Sequence, residues 1–128
     1  MDKEVVSAAG VKASGLSFNH VVRAGNMLYL TSQLSCDLRT GDMISGDVAT
    51  QTRNALENVK LLLEGAGSSM ECVVKVVVYL RHASSFDDMN RVYRDYFAAG
   101  TEPARVTVEA ASPISGIDVE VEVTAVKA

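Results

Sequence analysis

The 128-residue chain has no tryptophan, only two prolines and two cysteines, and no long apolar run. Its longest apolar stretch, residues 73–80, is interrupted by Lys75 and is far shorter than the about 20 residues that cross a bilayer. The first fifteen residues lack the apolar core of a secretory leader. We therefore expect a soluble, cytoplasmic protein with no membrane partner, or a mitochondrial one if its source is eukaryotic.

The motifs that mark common metal and nucleotide sites are also missing. Cys36 and Cys72 are far apart and have neither metal-binding nor redox spacing, which predicts two free thiols in a reducing compartment. His20 and His82 have no acidic or cysteine partner at ligand spacing, so no metal is predicted. Glycine-rich nucleotide loops, zinc-protease motifs and serine-hydrolase motifs are not found.

Positive charge is scarce, with 12 lysines and arginines against 16 acidic residues and a formal net charge of −4. Such a chain has no basic field to neutralise phosphates, which disfavours a nucleic-acid partner and an anionic membrane surface. One alternative stays open, because four arginines could form a local RNA-binding patch: Arg39, Arg53, Arg91 and Arg94.

The overall amino-acid composition is typical of a globular protein, and we predict one domain, residues 1–128. Apolar residues make up 48% and charged residues 22%, an ordinary balance, and no repeat or linker divides the chain.

Turn signals and periodicity divide the first half of the chain. Gly25-Asn26 separates two short apolar or β-branched runs, residues 18–24 and 27–32, which predicts a hairpin. After a loop, Asp47 is placed to cap a helix that runs to about Glu64. The polar positions of this helix are expected to face water: Gln51, Arg53, Asn54, Glu57 and Lys60.

A strand and a second helix follow. Residues 71–81 are rich in valine with almost no polar alternation, the pattern of a strand that is apolar on both faces. Ser84 or Ser85 is predicted to cap a helix that continues to about Ala98.

The last two predicted strands, residues 104–111 and 117–126, alternate apolar and polar side chains. If their apolar faces meet the helices, the polar side chains of both strands lie on the side of the sheet that this chain leaves uncovered. The order βββαβαββ predicts an α+β fold, a mixed sheet with two helices on one face. A sheet covered once, with a valine-rich strand, indicates a subunit interface on the other face.

Two charged residues on these strands are candidate catalytic groups. Arg105 follows Pro103-Ala104 at the start of a strand, where a guanidinium can offer two parallel N–H donors to a carboxylate. Glu120 lies on the polar face of the last strand. Taken alone, the pattern favours a solvated surface role for both residues, and their spacing does not bring them together.

Four ordered segments resemble the Rid (reactive intermediate deaminase) or YjgF family, formerly labelled endoribonuclease L-PSP or translation initiation inhibitor. They are Gly25-Asn26-Met27 leading to Thr31-Ser32-Gln33, the helical segment 54–59, Glu102-Pro103-Ala104-Arg105, and Val119-Glu120-Val121-Glu122. The resemblance covers the chain from about residue 14. It implies a chorismate-mutase-like homotrimer in which three sheets form a central barrel and ligand clefts lie between subunits.

The same resemblance implies hydrolytic deamination of 2-aminoacrylate-type enamines and 2-imino acids to 2-oxo acids and ammonia, without a cofactor. Arg105 would clamp the substrate carboxylate, and Glu120 would position or activate the water. The remaining residues that the resemblance assigns to the cleft are Phe18, Thr31, Ser32, Asn90 and Thr107.

The chain also departs from the family pattern. Thr31-Ser32 stands where many deaminases have Ser-Gly, which predicts a narrower pocket, and Phe18 replaces a tyrosine, so that a hydroxyl is missing. Two other functions stay open at this point. One is a trimer that binds a small carboxylate without turnover, and the other is an endoribonuclease or translation inhibitor.

Overall fold

A computed structural model describes residues 3–128, and its elements follow the predicted order βββαβαββ. Short 3-10 turns precede the fourth strand and the second helix. The elements are β1 (Lys3–Val6), β2 (Val21–Ala24), β3 (Met27–Leu30), α1 (Val48–Gly65), β4 (Val73–Leu80), α2 (Phe86–Tyr93), β5 (Ala104–Glu109) and β6 (Val119–Val126).

The six strands form one mixed sheet in the order β1-β2-β3-β6-β4-β5. The β4–β5 pair is parallel, and all other neighbours are antiparallel. The predicted hairpin is confirmed as β2–β3, whose turn holds Gly25 at a φ of 58°, in the left-handed region that glycine enters without steric cost. Among the described strands β5 pairs only with β4, so β5 is an edge of the sheet.

Both helices cover one face of the sheet and bury a single apolar core against it. The central side chains of this core are fully enclosed, among them Leu56, Val59, Leu63, Val76, Val78 and Val121. No helix of the described residues covers the other face, here called the outer face. Within residues 3–128, no helix combines the length and apolarity that crossing a bilayer requires.

Helix α1 begins as predicted, because the Asp47 carboxylate accepts a hydrogen bond from the Thr50 N–H at 2.8 Å. The prediction that Gln51 faces water is wrong, since its side chain is only 1% exposed. Its amide nitrogen donates to the carbonyls of Gly46 and Gly116 at 2.9 and 3.1 Å, and its oxygen accepts from the Asp118 N–H at 2.8 Å. Gln51 is buried because it satisfies three backbone groups that have left water.

Helix α2 is shorter than predicted and ends at Tyr93 rather than near Ala98. Beyond it, Asp95 N donates to Val92 O and Tyr96 N donates to Tyr93 O, so the chain tightens into turns of the 3-10 type. The predicted serine cap is not formed, because Ser85 occupies the N-cap position without a side-chain hydrogen bond.

Strand β4 is apolar on both faces, as predicted, but its alternation is interrupted. An irregularity between Val73 and Lys75 leaves two consecutive residues, Val74 and Lys75, exposed. From Val76 onward the alternation is regular, and Val77 lies half-buried on the outer face.

The predicted orientation of β6 is confirmed, but that of β5 is wrong. Glu120 lies on the outer face between buried Val119 and Val121. Arg105, however, is in register with buried Val76, so its side chain lies on the helix side, as does Thr107 beside Val78. The valines of β5 instead face outward, and Val106 is 45% exposed. The reason is that α2 offers polar partners to β5 at the sheet edge, beyond which no strand of residues 3–128 lies.

Candidate active site

Arg105 is fixed at the edge of the sheet by residues of α2. Its Nη1 donates to Asn90 Oδ1 at 2.6 Å. Its Cζ lies 4.6 Å from the centroid of the Tyr93 ring and 5.4 Å from that of the Phe86 ring, within cation–π range of both. A guanidinium has five N–H donors, so most of them remain available to a ligand.

Two buried hydroxyls lie in the same region without a hydrogen-bond partner among the described residues, those of Tyr93 and Thr107. Tyr93 is 5% exposed, and burial raises the pKa of its phenol although the charge of Arg105 acts in the opposite direction. A cavity of about 460 Å³ opens here, with Arg94 and Glu102 in its wall. Buried polar groups without partners are rare in proteins, because such a group has given up its hydrogen bonds to water. We call Asn90, Tyr93, Arg105 and Thr107 the arginine half-site.

A second cluster lies on the outer face, where Ser32 Oγ donates to Glu120 Oε1 at 2.6 Å. The contact follows from a short bridge, because the backbone of Gln33 exchanges two hydrogen bonds with Val121, at 2.7 and 2.8 Å. This bridge aligns the segment after β3 with β6 and brings Ser32 beside Glu120.

The surroundings of Glu120 are acidic. Tyr79 donates its phenolic hydrogen bond to Glu122 Oε1 at 2.8 Å, and this bond raises the pKa of Tyr79. A cavity of about 310 Å³ is lined by Ser32, Tyr79, Glu120 and Glu122, together with Asp118. Three carboxylates favour a positively charged or neutral group here over an anion.

Thr31 and Phe18 border a further cavity of about 380 Å³ on the other side of Ser32. The Thr31 N–H donates to the carbonyl of His20 at 2.9 Å, and the Phe18 ring meets the His20 ring edge-on with centroids 6.2 Å apart. His20 Nε2 lies 3.1 Å from the Lys12 carbonyl, whereas Nδ1 is buried without a partner in the described chain. We call Phe18, Thr31, Ser32 and Glu120 the serine–glutamate half-site.

Within one chain the two half-sites do not meet. In register, Arg105 lies beside Val76, and Glu120 lies beside Tyr79 on the opposite face. Two strand spacings and three residues along the strand separate their backbones by about 14 Å. The seven candidate residues therefore form two groups on opposite faces of one sheet, and the sequence did not reveal this division.

Several residues of these groups were missed by sequence reasoning. Tyr93 lies three positions after Asn90 on α2, a spacing that places both side chains on one helix face and could have indicated it. The tertiary contacts of Gln51, Tyr79 and His20 have no comparable signal, because each depends on long-range pairing.

The described residues show neither a cluster of metal ligands nor a patch of unpaired arginines of the kind that binds a polyanion. No group of three or more histidine, cysteine or acidic side chains among residues 3–128 is arranged to hold a metal. Both cysteines are free, and burial raises the pKa of Cys36. Three arginines of the suggested RNA patch are paired with acids of their own chain: Arg39 with Asp37, Arg53 with Asp95, and Arg91 with Asp88.

Comparison with known proteins gives a consistent result. The family model described as endoribonuclease L-PSP matches residues 9–127. A RutC family protein of Pyrococcus horikoshii is 38% identical to this chain and covers 98% of both chains. A 2-iminobutanoate/2-iminopropanoate deaminase of Dermatophagoides farinae is 32% identical, covering 82% of this chain and 81% of its own. The crystal structure of the Rid-family protein YyfA of Yersinia pestis is similar with a TM-score of 0.89 at 29% identity, over 97% of this chain and 98% of that one. The chain therefore belongs to the endoribonuclease L-PSP family, also named the Rid or YjgF family.

Proposed function

We propose that this protein is an imine deaminase, which hydrolyses 2-imino acids and their enamine tautomers to 2-oxo acids and ammonia. Support comes above all from the guanidinium of Arg105, which Asn90 and Tyr93 hold in place while its other N–H donors stay available for a carboxylate. A relative that is 32% identical carries the name 2-iminobutanoate/2-iminopropanoate deaminase.

Catalysis of this hydrolysis requires mainly that the substrate and a water be oriented, because an imine carbon is already electrophilic. Arg105 binds the substrate carboxylate. Ser32 engages Oε1 of Glu120, so Oε2 is left to accept a proton from the attacking water. The water oxygen bonds to the C=N carbon, and Glu120 passes the proton taken from the water to the imine nitrogen. Glu120 then takes the remaining proton from the new hydroxyl and passes it to the same nitrogen, so that the C=O bond forms as the C–N bond breaks and ammonia leaves. None of these reaction steps uses a cofactor.

The site is completed between copies of the chain, in a homotrimer of the cytoplasm. Arg105 lies on an edge strand, and Glu120 lies on the outer face, so the edge of one copy packed against the outer face of the next brings them together. The outward valines of β5 fit this arrangement, since Val106 and Val108 are exposed in the single chain.

The direct test adds the protein to a threonine dehydratase reaction, which releases 2-iminobutanoate, and follows the rate at which 2-oxobutyrate appears. The wild-type protein should accelerate release, and Arg105→Ala should abolish the effect while remaining folded. Arg91→Ala is the matched control, because Arg91 adjoins Asn90 on α2 but is paired with Asp88 at the surface. A wild-type protein that binds 2-oxobutyrate without accelerating release would instead be a small-carboxylate binder.

The family description names a second candidate function, endoribonuclease activity. The net charge of −4 and the intrachain pairing of three arginines oppose it, because phosphate binding depends on unpaired basic groups. RNA degradation that persists in Arg105→Ala and weakens with added salt would support this activity and place it outside the arginine half-site.

A further inference from the structure

Ser32 forms a shared wall between two cavities of different character. On one side lies the acidic cavity with Glu120 and Glu122, and on the other lies the cavity of about 380 Å³ beside Phe18. A molecule that reacts beside Ser32 and Glu120 therefore has a second space next to its reacting carbon.

This second space, here called the apolar cavity, collects large hydrophobic side chains. Its size lies in the range of small-ligand pockets. Two of its members are unusually open to solvent, since Leu16 is 73% and Phe18 44% exposed. The large apolar residues in its wall are Leu16, Phe18, Leu34, Leu38, Met43 and Ile114.

Much of the polar capacity in the apolar cavity is already used within the chain. His20 Nε2 lies 3.1 Å from the Lys12 carbonyl, Lys12 Nζ donates to the Thr40 carbonyl at 3.4 Å, and Gln33 donates to the Thr31 carbonyl at 3.2 Å. Lys12 and Asp42 also line the cavity, but more of its wall is apolar than polar, and exposed apolar surface of this kind is typical of a place that a ligand covers.

We propose that the apolar cavity receives the side chain of the substrate, so that the enzyme prefers 2-imino acids with apolar side chains of three or more carbons over those with one or two. This inference rests on the proposed deaminase function and specifies its substrate class. Arg105 of a neighbouring copy holds the carboxylate, the C=N carbon lies beside Glu120, and the side chain passes Ser32 into the apolar cavity.

The size of the preference follows from the hydrophobic effect. Each buried methylene is worth about fourfold in kcat/KM, so two extra carbons in a cavity that is partly open should give about tenfold. The comparison of 2-imino-4-methylpentanoate with 2-iminobutanoate isolates those two carbons.

The experiment generates both imines with one L-amino acid oxidase, from leucine and from 2-aminobutyrate, with oxygen as oxidant and catalase to remove the peroxide. Semicarbazide traps the imine that escapes hydrolysis, and loss of trapped product measures deamination. We expect kcat/KM to be about tenfold higher for the leucine-derived imine. Met43→Gln should reduce this ratio severalfold, Met43→Leu should retain it, and Leu61→Ala, an exposed apolar position of α1 outside this cavity, should leave it unchanged.

Binding of the product-like 2-oxo acids separates this inference from the proposed function. Calorimetry compares 4-methyl-2-oxopentanoate with 2-oxobutyrate, and tighter binding of the former supports the apolar cavity even in a protein that shows no turnover. Deamination of both imines with equal efficiency, or equal affinity for the two oxo acids, would overturn the inference while the deaminase function stands. Absence of deamination for every imine, with selective binding retained, would overturn the deaminase function alone.

Discussion

Replacing the buried Gln51 with leucine should destabilise the protein more than any surface substitution on α1. The exchange keeps the side-chain volume close but removes three hydrogen bonds, to Gly46, Gly116 and Asp118. At about 1 kcal/mol for each bond, the free energy of unfolding should fall by about 3 kcal/mol. For a chain of this length, that loss corresponds to a melting temperature lower by about 10 °C.

Equilibrium unfolding in urea at a fixed protein concentration is the appropriate assay, because association between copies also adds stability. Lys60→Leu is the matched control, since it introduces the same residue at an exposed position of the same helix. Gln51→Glu adds a second check. Its carboxylate would face two carbonyl oxygens in the core, so its stability deficit should shrink as the pH falls and the carboxyl becomes a donor.

A loss below about 1 kcal/mol for Gln51→Leu, no larger than that of Lys60→Leu, would show that the hydrogen bonds of Gln51 do not stabilise the segment before β6, and would refute this reasoning. The same variant should also lower deaminase activity, because Gly116 and Asp118 lead directly into the strand that carries Glu120.

Three further predictions concern other parts of the molecule. Tyr93→Phe removes a buried hydroxyl without a partner in the described chain, so urea unfolding should show a gain of about 1 kcal/mol, and a loss would reveal a partner. Burial, followed by the hydrogen bond to Glu57, raises the pKa of Tyr96 to about 12. Because this folded-state value exceeds the ordinary one, stability should hold below pH 10 and fall between pH 10 and about 12, and Tyr96→Phe should remove that part of the decline. Val106→Asp places a charge on the outer face, and sedimentation should then show dissociated chains; an unchanged oligomer would contradict an interface there.

The order of strands and helices was predictable because its signals are local. Gly25 fixes the hairpin turn, Asp47 caps α1, and the alternation of β6 separates buried valines from outward glutamates. Each of these features depends on residues a few positions apart, which the sequence displays directly.

The failures share a tertiary cause. Hydrophobic alternation predicts that the valine face of a strand is buried, but β5 is an edge strand, and Asn90 of α2 gives Arg105 a partner on the helix side. Its position in the helical pattern predicts that Gln51 is a surface residue, but in the structure the backbone around Gly116 packs against α1 and buries it. Neither outcome can be read from periodicity, because both depend on which distant segment arrives as a neighbour.

Family resemblance supplied the candidate site residues, which remain a prediction, but the sequence did not predict how the structure arranges them. The sequence segments around Arg105 and Glu120 identify both residues as candidates. The distance between them depends on how β5 and β6 each pair with β4, which the sequence does not display. The contact between Ser32 and Glu120 depends in turn on the short bridge that Gln33 makes with Val121.

The placement of Arg105 and Glu120 on opposite faces of one sheet has a genetic consequence if the reaction takes place between copies. A chain with Arg105→Ala keeps an intact glutamate, and a chain with Glu120→Gln keeps an intact arginine. The two inactive proteins can be unfolded, mixed in equal amounts and refolded together. About a quarter of the sites between copies then receive an intact Arg105 from one variant and an intact Glu120 from the other. Two broken alleles should therefore rescue one another in a single cell, which no enzyme with a self-contained site can do.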